Sequence, residues 1–384
     1  GAYTMDKSLP QESYITKITD FLKQHKDTFY AASQAQMLLW NKEYPEDKPQ
    51  PLLLYCNLDK EENEFYPSYN YKEIHYDKEK MLLSELKKTL TVAYGGCEAV
   101  PSVRANMGCG IFPTLFGIKQ ELFEDKMPWV QEHLSKDVLA KMGPEDLKIG
   151  DEFKAGLEHM AYMVEKLEGT GCMVYPMDLQ GVFDTAHLVY GDQIFYDLYD
   201  DPEFVHHLLD LSYHALVIGM EECLKILPDS DKRIAHYNGL VIPREKGGIK
   251  ISEDTSTLLS KDHIEEFVAP YTHKLLAYFG GGYVHYCGKN PHLFETVMAE
   301  PLAYGINFGN PDKHDMEYVL KRCAQVGKIY YGSIPKQESE SLYEYFKKYL
   351  SASTNGSKKH LLLQYYCNKQ EREQVVAEWL RANQ

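Results

Sequence analysis

The chain has 384 residues, with 57 acidic side chains against 41 Lys and Arg and a formal net charge of −16. That balance excludes an electrostatic partnership with nucleic acid or an anionic membrane surface as the organising function. A composition that is 44% hydrophobic and 26% charged supplies a sizeable core and carries no signature of disorder, while the length admits one large domain or two ordinary ones.

From the N-terminus, GAYTMDKSLPQES lacks the basic-then-apolar pattern of a secretory leader. No apolar run approaches the roughly 18 residues of a membrane span. Ile15, Ile18, Phe21 and Leu22 recur at helical spacing, as do Met81, Leu82, Leu86 and Leu90. Two polar, Pro-containing stretches, 42–51 and 59–70, flank a short apolar run, LLLYC, at 52–56. Residues 1–96 therefore read as a mainly helical extension. From about residue 97, short apolar or β-branched runs alternate with long amphipathic segments. Strands are expected at 99–104, 172–176, 248–251, 283–287, 303–308, 328–334 and 360–367, with helices such as 200–227 and 314–327 between them. With 52–56 the count is eight. This repeated alternation predicts an α/β fold, a (β/α)8 TIM barrel with its core at 97–384, in one domain covering 1–384. An open doubly wound sheet is the alternative, but no GxGxxG follows an early strand.

Chemistry concentrates in Tyr283-Val284-His285-Tyr286-Cys287-Gly288-Lys289-Asn290-Pro291. On a strand, residues i and i+2 share a face, so His285 and Cys287 point together. Gly288 and Asn290-Pro291 end the strand and place both at the C-terminal rim, where barrels build active sites. An imidazole beside a thiolate is a natural half-site for zinc. Taken alone, the pair reads more readily as a core histidine beside a buried cysteine. Cys367 adds a second thiol, also at an expected strand end, and three protein ligands with an open fourth position are the pattern of a catalytic zinc. Cys56, Cys97, Cys109, Cys172, Cys223 and Cys323 read as apolar packing. With no CxxC and no framework spacing, all eight cysteines read as reduced thiols of a cytoplasmic protein. Glu253 and Asp254 follow the strand at 248–251 as a fourth ligand or proton acceptor, although helix N-terminal charge explains them almost as well. His236 and Asn238 in RIAHYN, and Asn307 in GINFGN, are candidate pocket-lining groups with ordinary structural alternatives.

HYCGKN followed by a terminal cysteine resembles the His-x-Cys…Cys zinc motif in the methyltransferase branch of the uroporphyrinogen decarboxylase-like superfamily. The branch includes methylcobamide:coenzyme M methyltransferases. The resemblance extends over VPSVRANMGCGIFPTLFG (100–117), GVFDTAHLVYG (181–191) and SEDTSTLLSKDHIEEFVAPY (252–271). It implies zinc held by His285, Cys287 and Cys367, and Glu253 or Asp254 lining the pocket. It also implies transfer of a methyl group from methylcobalamin, on a separate corrinoid protein, to a thiol or folate acceptor. A corrinoid-binding DxHxxG is absent: Asp312-Lys313-His314 is followed by Glu317 where the glycine belongs.

Two rivals are weighed against this. Uroporphyrinogen decarboxylase itself resembles the chain in fold, but its octacarboxylate substrate calls for arginines. Only Arg104, Arg233, Arg244, Arg322, Arg372 and Arg381 occur, none early enough for the decarboxylase Arg-Gln-Ala-Gly-Arg-Tyr motif. His187 stands where decarboxylases place a functional tyrosine, and is a candidate substrate contact. The other rival is a non-catalytic zinc- or ligand-binding barrel of corrinoid metabolism. A homodimer is compatible with the sequence, which leaves the oligomeric state open.

Overall fold

The structure is a computed structural model and describes residues 9–384. The start of the segment read for a leader, residues 1–8, lies outside the described residues. All eight expected strands are present: β1 Leu52–Asn57, β2 Ser102–Arg104, β3 Met173–Tyr175, β4 Ile249–Ser252, β5 Gly282–Tyr286, β6 Ala303–Phe308, β7 Ile329–Gly332 and β8 Leu361–Asn368. Long helices connect them, including Asp151–Lys166, Pro202–Ile226 and Met316–Val326.

Six strands form one parallel sheet in the order β1-β8-β7-β6-β5-β4, and β2 pairs with β3 in a separate parallel ribbon. The hydrogen-bonded ring expected of a closed barrel is not present among the described residues. The ladder is interrupted between β1 and β2. Between β3 and β4 only the isolated bridge Gln180–Ser252 spans the gap. An antiparallel hairpin, Arg233–His236 with Leu240–Pro243, stands in that region, where the sequence suggested only a strand end. Shortening of the expected strand at 99–104 has a local cause. Pro101 has no N–H to give a ladder, and Val100 donates to the hairpin carbonyl of Gly239 instead.

Residues 9–96 are not only an appendage. Their helices Gln11–Gln24 and Lys78–Gly95 bury Ile15, Ile18, Leu22, Met81, Leu82, Leu86 and Leu90. Their strand β1 pairs with β8 from Leu52–Leu363 to Asn57–Asn368. Helix Lys78–Gly95 starts at Asp77, which accepts from Lys80 N, and stops at Gly96, with φ 64°.

Alternation divides the core into two layers. Leu53, Tyr55, Tyr283, Tyr331 and Leu362 meet Trp40 and the hairpin residues Leu240 and Ile242 on the concave, lumen side. Leu54, Cys56, Val284, Ile306, Tyr330, Leu361, Leu363 and Cys367 pack outward into the helical layer. This division decides which side chains can meet at the sheet's C-terminal rim. No helix among the described residues is long and apolar enough to cross a membrane.

Candidate metal centre

Strand β5 ends at Tyr286, one residue short of Cys287. The Cys287 N–H leaves the ladder and donates to Asp254 Oδ1 at 2.6 Å. Gly288, with φ 85°, then turns the chain, and its N–H donates to Asn310 Oδ1 at 3.1 Å. Neighbouring β4 enters the same rim. Ser252 stands opposite His285 in register, and Glu253 N–H donates to the His285 carbonyl at 2.8 Å. The loop carrying Asp254 is held from behind by the buried Asp184, whose two carboxylate oxygens accept Thr255 N–H at 3.1 and 3.2 Å.

These constraints bring ligand atoms of Asp254, His285 and Cys287 within 4.8 Å of one another. His285 Nδ1 lies 2.5 Å from Asn307 Oδ1, while Asn307 Nδ2 donates to the Tyr331 carbonyl at 2.5 Å. With the amide thus fixed, Nδ1 carries the proton and Nε2 presents its lone pair toward Cys287 Sγ, 4.0 Å away. A tetrahedral zinc with Zn–N about 2.0–2.1 Å and Zn–S about 2.3 Å separates those donors by about 3.6 Å. The donor chemistry fits: carboxylate, imidazole and thiol, with an outer amide orienting the imidazole. Burial, then Lys250, lowers the His285 pKa and keeps the ring neutral as a ligand requires. Burial, followed by Asp254, raises that of the Cys287 thiol; a cation between them reverses that carboxylate's effect. Close approach of the next strand end matters too. A Cβ on Gly309 would lie 2.3 Å from Cys287 Sγ.

Cys367 is not part of this group. In parallel pairing, residues in register share a face. The register links Val284 to Ile306, Ile306 to Tyr330 and Tyr330 to Leu361. Cys367, six residues beyond Leu361, shares that outward face, whereas His285 and Cys287 alternate to the lumen. Its Sγ lies 3.8 Å from Cys56 Sγ, and burial, with Cys56 next, pushes the thiol up to about 12. Cys367, expected as the third zinc ligand from its strand-end position, stands at that end but faces the helical layer, away from His285 and Cys287.

The other candidates separate similarly. Glu253 points away from the mouth, is 1% exposed, and accepts from Ser256 Oγ at 2.8 Å and Thr272 Oγ1 at 2.6 Å. Burial raises its pKa to about 7; it supports the loop from the helical side. Asn307 orients His285 instead of facing a substrate. His187 Nε2 pairs with Asp192 Oδ1 at 2.7 Å, closing the end of helix Val182–Tyr190. Asn238 occupies the hairpin turn at φ 60°, its carbonyl accepting from Tyr55 Oη and its amide donating to Tyr366 Oη. His236 is buried on the wall of a cleft with Tyr175, Asp178, Tyr237 and Lys250. Lys250 was missed by sequence reasoning. Its alternation with Ser252 in GIKIS places a cation on the lumen face, a signal that was present.

No family model matches the sequence, and no curated protein does. Among solved structures, the fold is similar to that of a methyltransferase from Methanosarcina mazei, with a TM-score of 0.61 and 14% sequence identity. The match covers 91% of this chain and 98% of that one. At this identity the likeness concerns the fold.

Proposed function

We propose that this chain is a zinc-dependent methyltransferase of the uroporphyrinogen decarboxylase-like superfamily, built as a single domain on a (β/α)8 scaffold. It moves a methyl group from a methylcobamide on a separate corrinoid protein to a small thiol or folate. The observation that carries the reading is the Asp254–His285–Cys287 group with His285 oriented by Asn307. The similarly folded Methanosarcina mazei protein is a methyltransferase, which supports the reaction class. The metal ligands are these three residues, so Asp254 takes the place the sequence gave to Cys367.

When bound, zinc supplies the Lewis acidity that lowers the acceptor's pKa. The chain's own residues do the positioning. Asn307 fixes the His285 tautomer; Asp184 holds the Asp254 loop; Gly309 leaves room for the Cys287 sulfur. Cys287 is exposed at the rim, so donor and acceptor approach from one mouth. For a thiol, the S–H bond breaks, an S–CH3 bond forms, and the carbon–cobalt bond breaks with its electron pair left on cobalt. The proton passes to solvent at that mouth. Decarboxylation of uroporphyrinogen is disfavoured because Arg104, the arginine beside Asp178 of this cleft, is already paired with that carboxylate at 2.5 Å.

Metal analysis of the purified protein should give about one zinc per chain. Methylcobalamin with a panel of thiols and folates, and a cognate corrinoid protein, should show demethylation that stops with chelator and returns with zinc. Zinc-loaded protein that transfers to none of them leaves only the non-catalytic binding role.

A further inference from the structure

Below the metal centre, on the lumen face, lies a cation with no hydrogen-bond or ion-pair partner among the described residues. Lys250 stands opposite Tyr283 in register, one lumen-facing step behind the Ser252–His285 pair. Asp178, Arg104, Asp254 and Cys287 act on it through space, but none hydrogen-bonds its ammonium, and burial lowers its pKa. Asp178, the acid sharing its cleft, is engaged by Arg104 Nη1 at 2.5 Å, and that guanidinium lies over Tyr175 and Tyr237 at 5.8 and 5.5 Å. In the same cleft, His236 is 4% exposed, and among the described residues its buried Nε2 has no hydrogen-bond partner; nor has Arg104 Nε nearby. Lys250, Asp178, His236, Tyr175 and Tyr237 line a cleft of about 30 Å³, room for about two waters or one small head group.

The charges there do not cancel. Arg104 and Asp178 neutralise each other, Asp254 belongs to the metal centre, and Lys250 is left over. A half-buried cation without a counter-charge is costly, and so are buried polar nitrogens without partners. We infer that this cleft is a carboxylate subsite, in which Lys250 pairs with a carboxylate group of the methyl acceptor. A phosphate-type dianion exceeds both the single free charge and the room. Two residues of strand separate Lys250 from the level of His285, on the order of 6–7 Å. The acceptor's carboxylate and its reacting atom are therefore a few bonds apart. This assignment rests on the methyl-transfer reading for the identity of the ligand, but not for the existence of the subsite.

The test uses propionate and its neutral counterpart propionamide, titrated calorimetrically into the full-length protein with and without zinc. Propionate should bind at least about tenfold more tightly than propionamide in both forms. Lys250→Gln should erase that preference with zinc content unchanged, and Lys250→Arg should retain most of it. Asp178→Asn, which frees Arg104 and removes the competing carboxylate, should tighten propionate binding severalfold. Equal binding of the two probes overturns the subsite, as does a preference surviving in Lys250→Gln. Should Lys250→Gln fail to fold, unchanged or weakened binding in Asp178→Asn overturns it instead. Propionate carries no thiol, so its binding to zinc-free protein separates failure of this inference from failure of the methyl-transfer reading.

Discussion

Two thiols near strand ends of one sheet have opposite surroundings. Cys287 lies just past the end of β5 on the lumen side, exposed, with an imidazole and a carboxylate within ligand reach. Cys367 lies within β8 on the helical side, 5% exposed, with another thiol as its polar neighbour. Both stand at a strand's C-terminal end, yet only one has its N–H released from the ladder and its side chain turned toward the mouth. Rim position is thus insufficient for a metal ligand on a barrel-like sheet. The parity of the residue along the strand, and the point where pairing stops, select which rim side chains converge.

Exchange of each thiol breaks this comparison most directly. Cys287→Ser should reduce bound zinc to less than about a tenth of an equivalent, read by metal analysis, with the fold intact. Cys367→Ser should leave zinc content unchanged and lower stability by about 1–2 kcal/mol in denaturant titration, through a poorly satisfied buried hydroxyl. Equal loss of zinc in both would place Cys367 back among the ligands.

Alkylation separates the two without mutation. With its pKa pushed up to about 12, Cys367 at pH 8 is ionised about a thousandfold less than an ordinary thiol near 8.5. Raising the pH increases its thiolate about tenfold per unit until that pKa is reached. Peptide mapping after brief iodoacetamide treatment of zinc-free protein should find Cys287 modified first and Cys367 modified on unfolding. Prior labelling of Cys367 contradicts the burial described.

Asn307→Ala sharpens the account by leaving all three ligands in place while releasing the imidazole. Zinc affinity in a chelator competition should fall about 10–100-fold, the usual cost of losing an outer partner. The smallest effect belongs to Gly309→Ala. Its added methyl meets the Cys287 sulfur, which must swing aside at an overpacking cost of about 1–2 kcal/mol, so zinc should bind about tenfold more weakly. Unchanged affinity would show that the sulfur already has a second position.

Much of the strand order was readable because buried parallel strands are short apolar runs between long amphipathic helices, and their bounds moved by only a few residues. His285 and Cys287 were readable for the same reason: i and i+2 share a face whatever the surroundings. The face of Cys367 was not, because its parity relative to β5 is fixed by the intervening registers of β6 and β7, which no single-strand pattern contains. Glu253 and Asp254 could not be divided by sequence either; alternation after Ser252 sends one to the helical side and the loop turns the other to the rim. The hairpin at 233–243 was legible too, since Asn238-Gly239 between two apolar runs is a hairpin-turn signal, but RIAHYN read alone suggests only a strand end.

The interruptions in the ladder have a consequence for motion. β5 and β6 exchange hydrogen bonds on both flanks, whereas the β2–β3 ribbon has only three residue pairs and ends in a seam on each side. Amide hydrogens of the two regions should therefore exchange as distinct cooperative units, the ribbon at lower opening free energy and the six-stranded sheet near the global value. Tyr175 closes β3 in that weaker unit and lines the cleft, and Lys250, also lining it, lies on the edge strand of the stronger one. The carboxylate cleft thus spans a boundary between a part that breathes and a part that does not, and a ligand bridging the two would slow exchange in the ribbon far more than in the sheet.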